Sequence, residues 1–180
     1  TGVQTCALPI LIMDLANHSK EDILELYDEL KKSVEVALEE NVYRVVYTIS
    51  VGIVEIDKEM KDYDTLIKYS DFALNEAKKK GKNSCYFFTQ DKYKQFIRRR
   101  EIRVELQNAV DHNFKNFDVY YQPIIDIHTR NLIGAEALMR FKMKRNEQIE
   151  FISPAEFIPI LEESGLIIPA GRWRSEERRV

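Results

Sequence analysis

The 180-residue sequence contains no apolar run approaching the length of about 20 residues that a membrane-spanning helix needs. It has no internal repeat and no low-complexity segment. Its three histidines, His18, His112 and His128, stand in polar connections without the spacing of a metal-ligating set, which makes them surface residues. Neither sign of charge is in large excess. With 27 Lys and Arg against 30 Asp and Glu, the net charge of −3 gives no electrostatic reason to expect nucleic acid or an anionic membrane as partner. Cysteine is scarce, with Cys6 and Cys85 the two present; Cys6 lies in an end segment set aside below, and the single Cys85 that remains implies no disulfide framework, which suits a reducing cytoplasm. Cys85 follows a turn and precedes "YFF", so it reads as a buried strand thiol and not as a reactive one.

What is present is an ordinary globular composition, 44% hydrophobic and 32% charged, at a length that suits one domain or at most two. The two ends differ from the rest. Residues 1–10, "TGVQTCALPI", and residues 174–180, "RSEERRV", resemble translations of the adapters used in short-read sequencing libraries. They are set aside from fold reasoning as an expression tag would be. The remainder, 11–173, then reads as a segment cut at both ends, with Cys85 its one cysteine and a net charge of −4 once three Arg and two Glu are removed.

Leu11–Leu15 reads as the end of an apolar strand. "SKEDILELYDELKKSVEVALEE" places Ile23, Leu26, Leu30, Val34 and Leu38 at spacings of three and four, an amphipathic helix with Ser19 as N-cap and acids in its first turn. "YRVVYTISVGIVEI" (43–56) is β-branched and aromatic, a strand, and Gly52 inside it marks a bulge or a close backbone approach. "KEMKDYD" is a polar connection. "DTLIKYSDFALNEAKKK" is a second amphipathic helix, with Leu66, Ile67, Ser70, Leu74 and Ala77 inward and Gly81 closing it, before a strand "SCYFF" (84–88).

One charged helix spans 89–113, with apolar residues at Tyr93, Phe96, Ile97, Val104, Ala109 and Val110, and links two domains. Its basic run Arg98–Arg100 is followed by Glu101 and Glu105, the pattern of a solvated helix face. "FDVYYQPIIDI" (117–127) and "LIGAEALMRF" (132–141) are strands whose short connection, "HTRN", makes them antiparallel neighbours or an extended hairpin. "KMKRNEQIEF" reads as a polar loop. In "SPAEFIPILEESG", Ser153 at N-cap, Pro154 at N1 and Glu156 at N3 form a capping box, and Gly165 ends the helix.

The segment "GAEALMRF" is the unusual one. Extended, it sends Gly134, Glu136, Leu138 and Arg140 to one face and Ala135, Ala137, Met139 and Phe141 to the other. The second face suits packing under helices. The first is half polar, so it faces solvent or a site, and a structural ion pair between Glu136 and Arg140 is the alternative to a functional role.

Two sets of residues carry a family resemblance. "TISVGIV" (48–54) with "DTLIKYSDFALNEAKKKGKN" (64–83) resembles the C-terminal half of a GGDEF domain, the diguanylate cyclase fold. "YYQPIIDIHTRNLIGAEALMRF" with "SPAEFIPILEESGLI" resembles the opening of an EAL domain, the cyclic-di-GMP phosphodiesterase family. The implied fold class is α/β: the C-terminal part of a GGDEF domain over 11–88, a linking helix over 89–113, and over 114–173 the first strands and helix of an EAL (β/α)₈ barrel that begins with an antiparallel strand.

The resemblance implies roles for particular residues. Glu136 matches a direct metal ligand needed for catalysis, Arg140 a contact to a substrate phosphate, and Gln122 a residue near the substrate, with Leu138 in the same substrate-facing row toward the C-terminal end of its strand. Those types suit phosphodiester hydrolysis, in which Mg²⁺ or Mn²⁺ held by carboxylate oxygens polarises the phosphate and a guanidinium neutralises its charge. For Gln122 the alternative is a strand-end amide bonded to backbone.

In the first half, Lys78 and Lys82 match positions that reach nucleotide phosphates in GGDEF domains. Position 82 is usually Arg in that family, and surface lysines favoured by a helix C-terminus remain the alternative. Ser70 and Asn75 depart from the family's usual Ala and Tyr, and its metal- and GTP-binding turn is expected just before Leu11.

The implied whole is a bacterial protein of cyclic-di-GMP turnover, opening the cyclic dinucleotide to linear pGpG, with GTP as the ligand of its other half and a homodimer as its assembly. The alternatives are a non-catalytic cyclic-di-GMP receptor and a cyclase whose EAL half is regulatory.

Overall fold

A computed structural model describes residues 10–11, 19–39, 48–56, 62–81, 83–145 and 147–176. They fall into two units dividing between Thr89 and Gln90. Apart from Leu11, the strand expected over Leu11–Leu15 lies outside the described residues, as do 43–47 of the strand expected over 43–56. No helix among the described residues is long and apolar enough to cross a membrane.

In the first unit, α1 (Lys20–Glu39) begins with a reciprocal cap. The Ser19 backbone N–H donates to Asp22 Oδ2 at 2.6 Å, and the Asp22 N–H donates to Ser19 Oγ at 3.3 Å. The inward face differs in detail from the periodic pattern: among the described side chains of α1, Tyr27 is the buried one, and Leu30 is 40% exposed. Tyr27 fits there because its hydroxyl donates to the Ile49 carbonyl at 3.1 Å, satisfying the one polar atom that burial would otherwise strand.

Strands β1 (Val51–Ile53) and β2 (Cys85–Phe87) pair in parallel, with Gly52 opposite Tyr86, and α2 (Tyr63–Lys79) connects them. Asp62 caps α2 by accepting from the Asp64 and Thr65 N–H groups, both at 3.2 Å. The packed face of α2 centres on Phe72, Ala73 and Ala77, while Leu66, Ile67, Ser70 and Leu74 are half-buried. Gly52 explains that centring. A Cβ there would lie 2.8 Å from Ala73 C and from the Ser70 carbonyl oxygen, and closer still to Leu74 N, so a residue without a side chain lets the helix backbone lie on the strand. Cys85 is half-buried in β2, and burial raises its thiol pKa, in keeping with an unreactive thiol.

The second unit contains α3 (Gln90–Asp111), the antiparallel sheet β3 (Phe117–Ile125), β4 (Leu132–Arg145) and β5 (Gln148–Ile152) in that order, α4 (Pro154–Glu163) and α5 (Ile167–Glu176). The segment expected as a polar loop after Phe141 is therefore mostly strand. Met143 carries the inward alternation of Met139 and Phe141 one step further, and β5 pairs with the extension through Phe141 opposite Ile152.

The core gathers Ile102, Leu106 and Ala109 of α3, Phe117, Met139, Phe141, Met143, Ile152, and Phe157, Ile160 and Leu161 of α4. The face of α3 that packs is 102, 106 and 109, and Val104 is exposed, because the strongly charged sequence hides a narrow apolar stripe. The ring centroids of Phe117 and Phe141 lie 4.8 Å apart, and Phe114 stacks on Trp173 at 5.2 Å.

Two electrostatic details go beyond the expected pattern. The Arg98–Arg100 face is solvated, with Arg99 and Arg100 exposed, but the half-buried Arg98 is also tied down: its Nε and Nη2 donate to Glu156 at 2.6 and 3.1 Å, and its Nη1 donates to Glu150 at 2.8 Å. Arg99 and Arg103 both reach Glu163. The capping box at α4 is only half made: the Ser153 side chain makes no cap bond, while the Glu156 carboxylate is hydrogen-bonded by the Ser153 backbone and more strongly by Arg98. Hydrogen bonding from Arg98 is the main reason the Glu156 carboxyl sits below its ordinary pKa.

Candidate functional site

Nine residues of β3 pair with β4 in one antiparallel ladder, and its register decides which side chains meet. The connection is a turn built on Asp126, whose carboxylate accepts from the N–H groups of His128 at 2.9 Å and Thr129 at 2.6 Å, and from the Thr129 hydroxyl at 2.9 Å. The bonds from Thr129 lead in lowering the Asp126 pKa. Arg130 takes the left-handed conformation that closes the turn, with φ 58°, and a register shift between Ile124 and Ile125 follows.

From there Gln122 stands opposite Glu136, Tyr120 opposite Leu138, and Asp118 opposite Arg140. Period-two alternation puts all six on one face of the sheet, away from the core face of Ala137, Met139 and Phe141. Directly opposed pairs have Cβ atoms about 4.5–5.5 Å apart, so Gln122 and Glu136 can address one ligand together.

Glu136 is exposed, while Leu138 and Arg140 are half-buried. The ion pair weighed as the structural role of Glu136 and Arg140 is not formed. They are four residues apart on an extended strand, roughly 13 Å of rise, and each faces a different partner position. The Arg140 guanidinium lies over the Tyr120 ring, 5.4 Å from its centroid, and its Nη1 donates to the Met139 carbonyl at 3.0 Å. Asp118, the acid across from Arg140, is taken by Lys142 Nζ at 3.0 Å. Glu136 lies in the first half of β4, not toward its C-terminal end, because β4 runs on to Arg145 to pair with β5.

This row offers a carboxylate, an amide and a guanidinium on an open surface. Among the described residues no three His, Cys, Asp or Glu side chains gather closely enough to hold a metal ion. A divalent ion such as Mg²⁺ surrounds itself with about six oxygens; Glu136 can supply one, and Asp118 on the same face is engaged with Lys142. No metal site is complete among the described residues.

In the first unit, Lys78 is exposed in the last turn of α2, and Lys82 lies outside the described residues. The neighbours of Lys78 are engaged otherwise: Lys79 pairs with Glu76 at 2.7 Å, and Lys80 lies over the Tyr86 ring at 4.9 Å. Sequence reasoning missed Tyr120 and the Asp118–Lys142 pair. Tyr120 carries a signal, since it stands two residues before Gln122 and so shares its face.

Comparison with known proteins adds a separate line of observation. Residues 7–84 match the family described as diguanylate cyclase, GGDEF domain, and residues 103–177 match the EAL domain. An uncharacterized protein of Synechocystis is 34% identical over 110 residues, 61% of this chain and 15% of that protein. The biofilm architecture maintenance protein MbaA of Vibrio cholerae is 32% identical over 126 residues, 70% of this chain and 15% of that protein. The bifunctional diguanylate cyclase/cyclic di-GMP phosphodiesterase MucR of Pseudomonas aeruginosa is 26% identical over 156 residues, 87% of this chain and 22% of that protein. The chain thus spans between 15% and 22% of the length of these relatives.

Proposed function

Because the chain belongs to the GGDEF–EAL tandem proteins, we propose that it is part of a cyclic-di-GMP signalling protein whose EAL half hydrolyses cyclic-di-GMP to pGpG. The observation that carries this reading is the single row on β3 and β4 in which Gln122 faces Glu136 and Arg140 follows without a carboxylate partner among the described residues. Arg140 would neutralise a phosphate oxygen of the substrate, since a guanidinium presents parallel N–H donors to it. Gln122 would hydrogen-bond the ligand from the opposite strand, and Leu138, between Glu136 and Arg140, would pack against its apolar surface. Mg²⁺ or Mn²⁺ is the proposed cofactor, with Glu136 as one oxygen ligand and the others supplied from outside the described residues.

The GGDEF half is proposed as a cyclase or a GTP-binding regulator, with Lys78 and Lys82 toward the nucleotide phosphates. A homodimer is the proposed assembly of the full-length protein and the cytoplasm its proposed location, where nucleotide substrates and reduced cysteines are found.

The test is cyclic-di-GMP hydrolysis by the full-length protein with Mg²⁺ or Mn²⁺, beside thermal melts. Glu136→Ala should slow turnover by orders of magnitude, the effect of removing a metal-held charge from the transition state. Its melting temperature should hold, because Glu136 is exposed and Ala preserves the core face of β4. Arg140→Ala should weaken substrate binding more than metal binding. Unchanged turnover in Glu136→Ala would overturn the phosphodiesterase reading, and tight binding without turnover by the wild type would favour a receptor.

A further inference from the structure

We propose that Tyr120 is a positioning residue for Arg140, holding its guanidinium ready for the phosphate of the bound nucleotide; this rests on the phosphate-binding reading of Arg140 given above. A long cation on an open strand face has two ways to be lost to a ligand. It can swing through solvent among many rotamers, or it can pair with the nearest carboxylate.

The sheet closes off both. Tyr120 is the diagonal neighbour of Arg140, one pair further along the ladder, and diagonal positions lie within reach of an aromatic and a long side chain. The guanidinium lies 5.4 Å from the Tyr120 centroid, inside the range of a cation–π contact, and one of its N–H groups is fixed on the Met139 carbonyl at 3.0 Å. The nearest carboxylate by register is Asp118, directly opposite, and Lys142 occupies it at 3.0 Å. Arg140 is therefore oriented by a ring and a carbonyl, neither of which cancels its charge. Its remaining donors are left for an anion, and part of the ordering cost of binding is met before the ligand arrives.

Tyr120 is 51% exposed on the same face as Gln122 and Glu136, so the rival to be separated is direct stacking of its ring on a base of the ligand. A double-mutant cycle separates them. Equilibrium binding of cyclic-di-GMP to the full-length protein is measured for wild type, Tyr120→Leu, Tyr120→Phe, Arg140→Ala and the Tyr120→Leu/Arg140→Ala double variant, with melting temperatures alongside.

Tyr120→Leu should raise Kd about two- to thirtyfold, the span of a cation–π contact from exposed to desolvated, with the melting temperature held. Tyr120→Phe keeps the ring and should restore wild-type binding. In the Arg140→Ala background, Tyr120→Leu should add nothing. An additive loss in the double variant would mean that Tyr120 touches the ligand itself, and an unchanged Kd in Tyr120→Leu would mean that the ring positions nothing; either overturns the proposal while leaving Arg140 as a phosphate contact. A Kd unmoved by Arg140→Ala would instead remove the reading on which it rests.

Discussion

Replacing Arg98 with Ala removes a side chain that hydrogen-bonds from α3 to both β5 and α4. Its guanidinium makes three hydrogen bonds, two to Glu156 at 2.6 and 3.1 Å and one to Glu150 at 2.8 Å. Hydrogen bonds to charged groups contribute about 1.5–3 kcal/mol each when sheltered, whereas exposed ion pairs contribute about 0.2–1 kcal/mol. The three side chains here are 32%, 33% and 40% exposed, so solvent screens much of the interaction. The forked geometry preserves some of it, and about 1–2 kcal/mol for the whole clamp follows.

That corresponds to local opening of α3 and α4 becoming about 5–30 times more frequent, read as lost hydrogen-exchange protection in peptides from both helices of the full-length protein. Arg98→Lys should recover only part of the protection, since an ammonium cannot fork across two carboxylates. Acid should erase the difference. The folded Glu156 pKa lies below its unfolded value of about 4.3, so the stabilisation is present above that pH and is lost as pH falls through the lower, folded value. Equal protection in wild type and Arg98→Ala at pH 7, or a deficit as large at pH 3 as at pH 7, would refute the assignment.

Gly52→Ala should loosen the first unit, because the added Cβ meets helix backbone at Ser70 and Ala73 and not a side chain that can rotate away. A cost of about 1–3 kcal/mol, as for other overpacked sites, should appear as lost exchange protection in α2; protection equal to wild type would count against the close approach. Residues 1–180 expressed alone should be aggregated or molten and show neither hydrolysis nor cyclase activity. The far end of the β3–β4 hairpin leaves Ile124, Ile125, Ile127, Leu132 and Ile133 between 48% and 85% exposed, and β3 and β5 are edge strands. A soluble monomer with a sharp thermal transition would refute this.

Local patterns in the sequence determined a good deal. Alternation over 134–141 separates Ala137, Met139 and Phe141 from Glu136, Leu138 and Arg140, because the side-chain period of an extended strand is independent of what surrounds it. The helices over Lys20–Glu39 and Tyr63–Lys79 follow from apolar spacing, and the short connection after Ile127 from the reach of the chain. Gly52 announced a close approach without saying to what.

Tertiary structure decided the rest. Leu30 matches a helical period as well as Tyr27 does, yet the Ile49 carbonyl makes Tyr27 the buried one. Glu156 completes a capping pattern in the sequence and keeps the Ser153 backbone as a partner, but a guanidinium 58 residues earlier is the stronger one. Lys142–Arg145 and Gln148–Phe151 look like a polar loop because Met143 alone among these residues is buried, and it is strand pairing that makes them extended. That Gln122 faces Glu136, and that Tyr120 lies under Arg140, depends on a hairpin register set by Asp126 and shifted at Ile124 and Ile125. A one-residue slip would turn every one of these side chains to the other face, and composition or spacing alone does not fix which register wins.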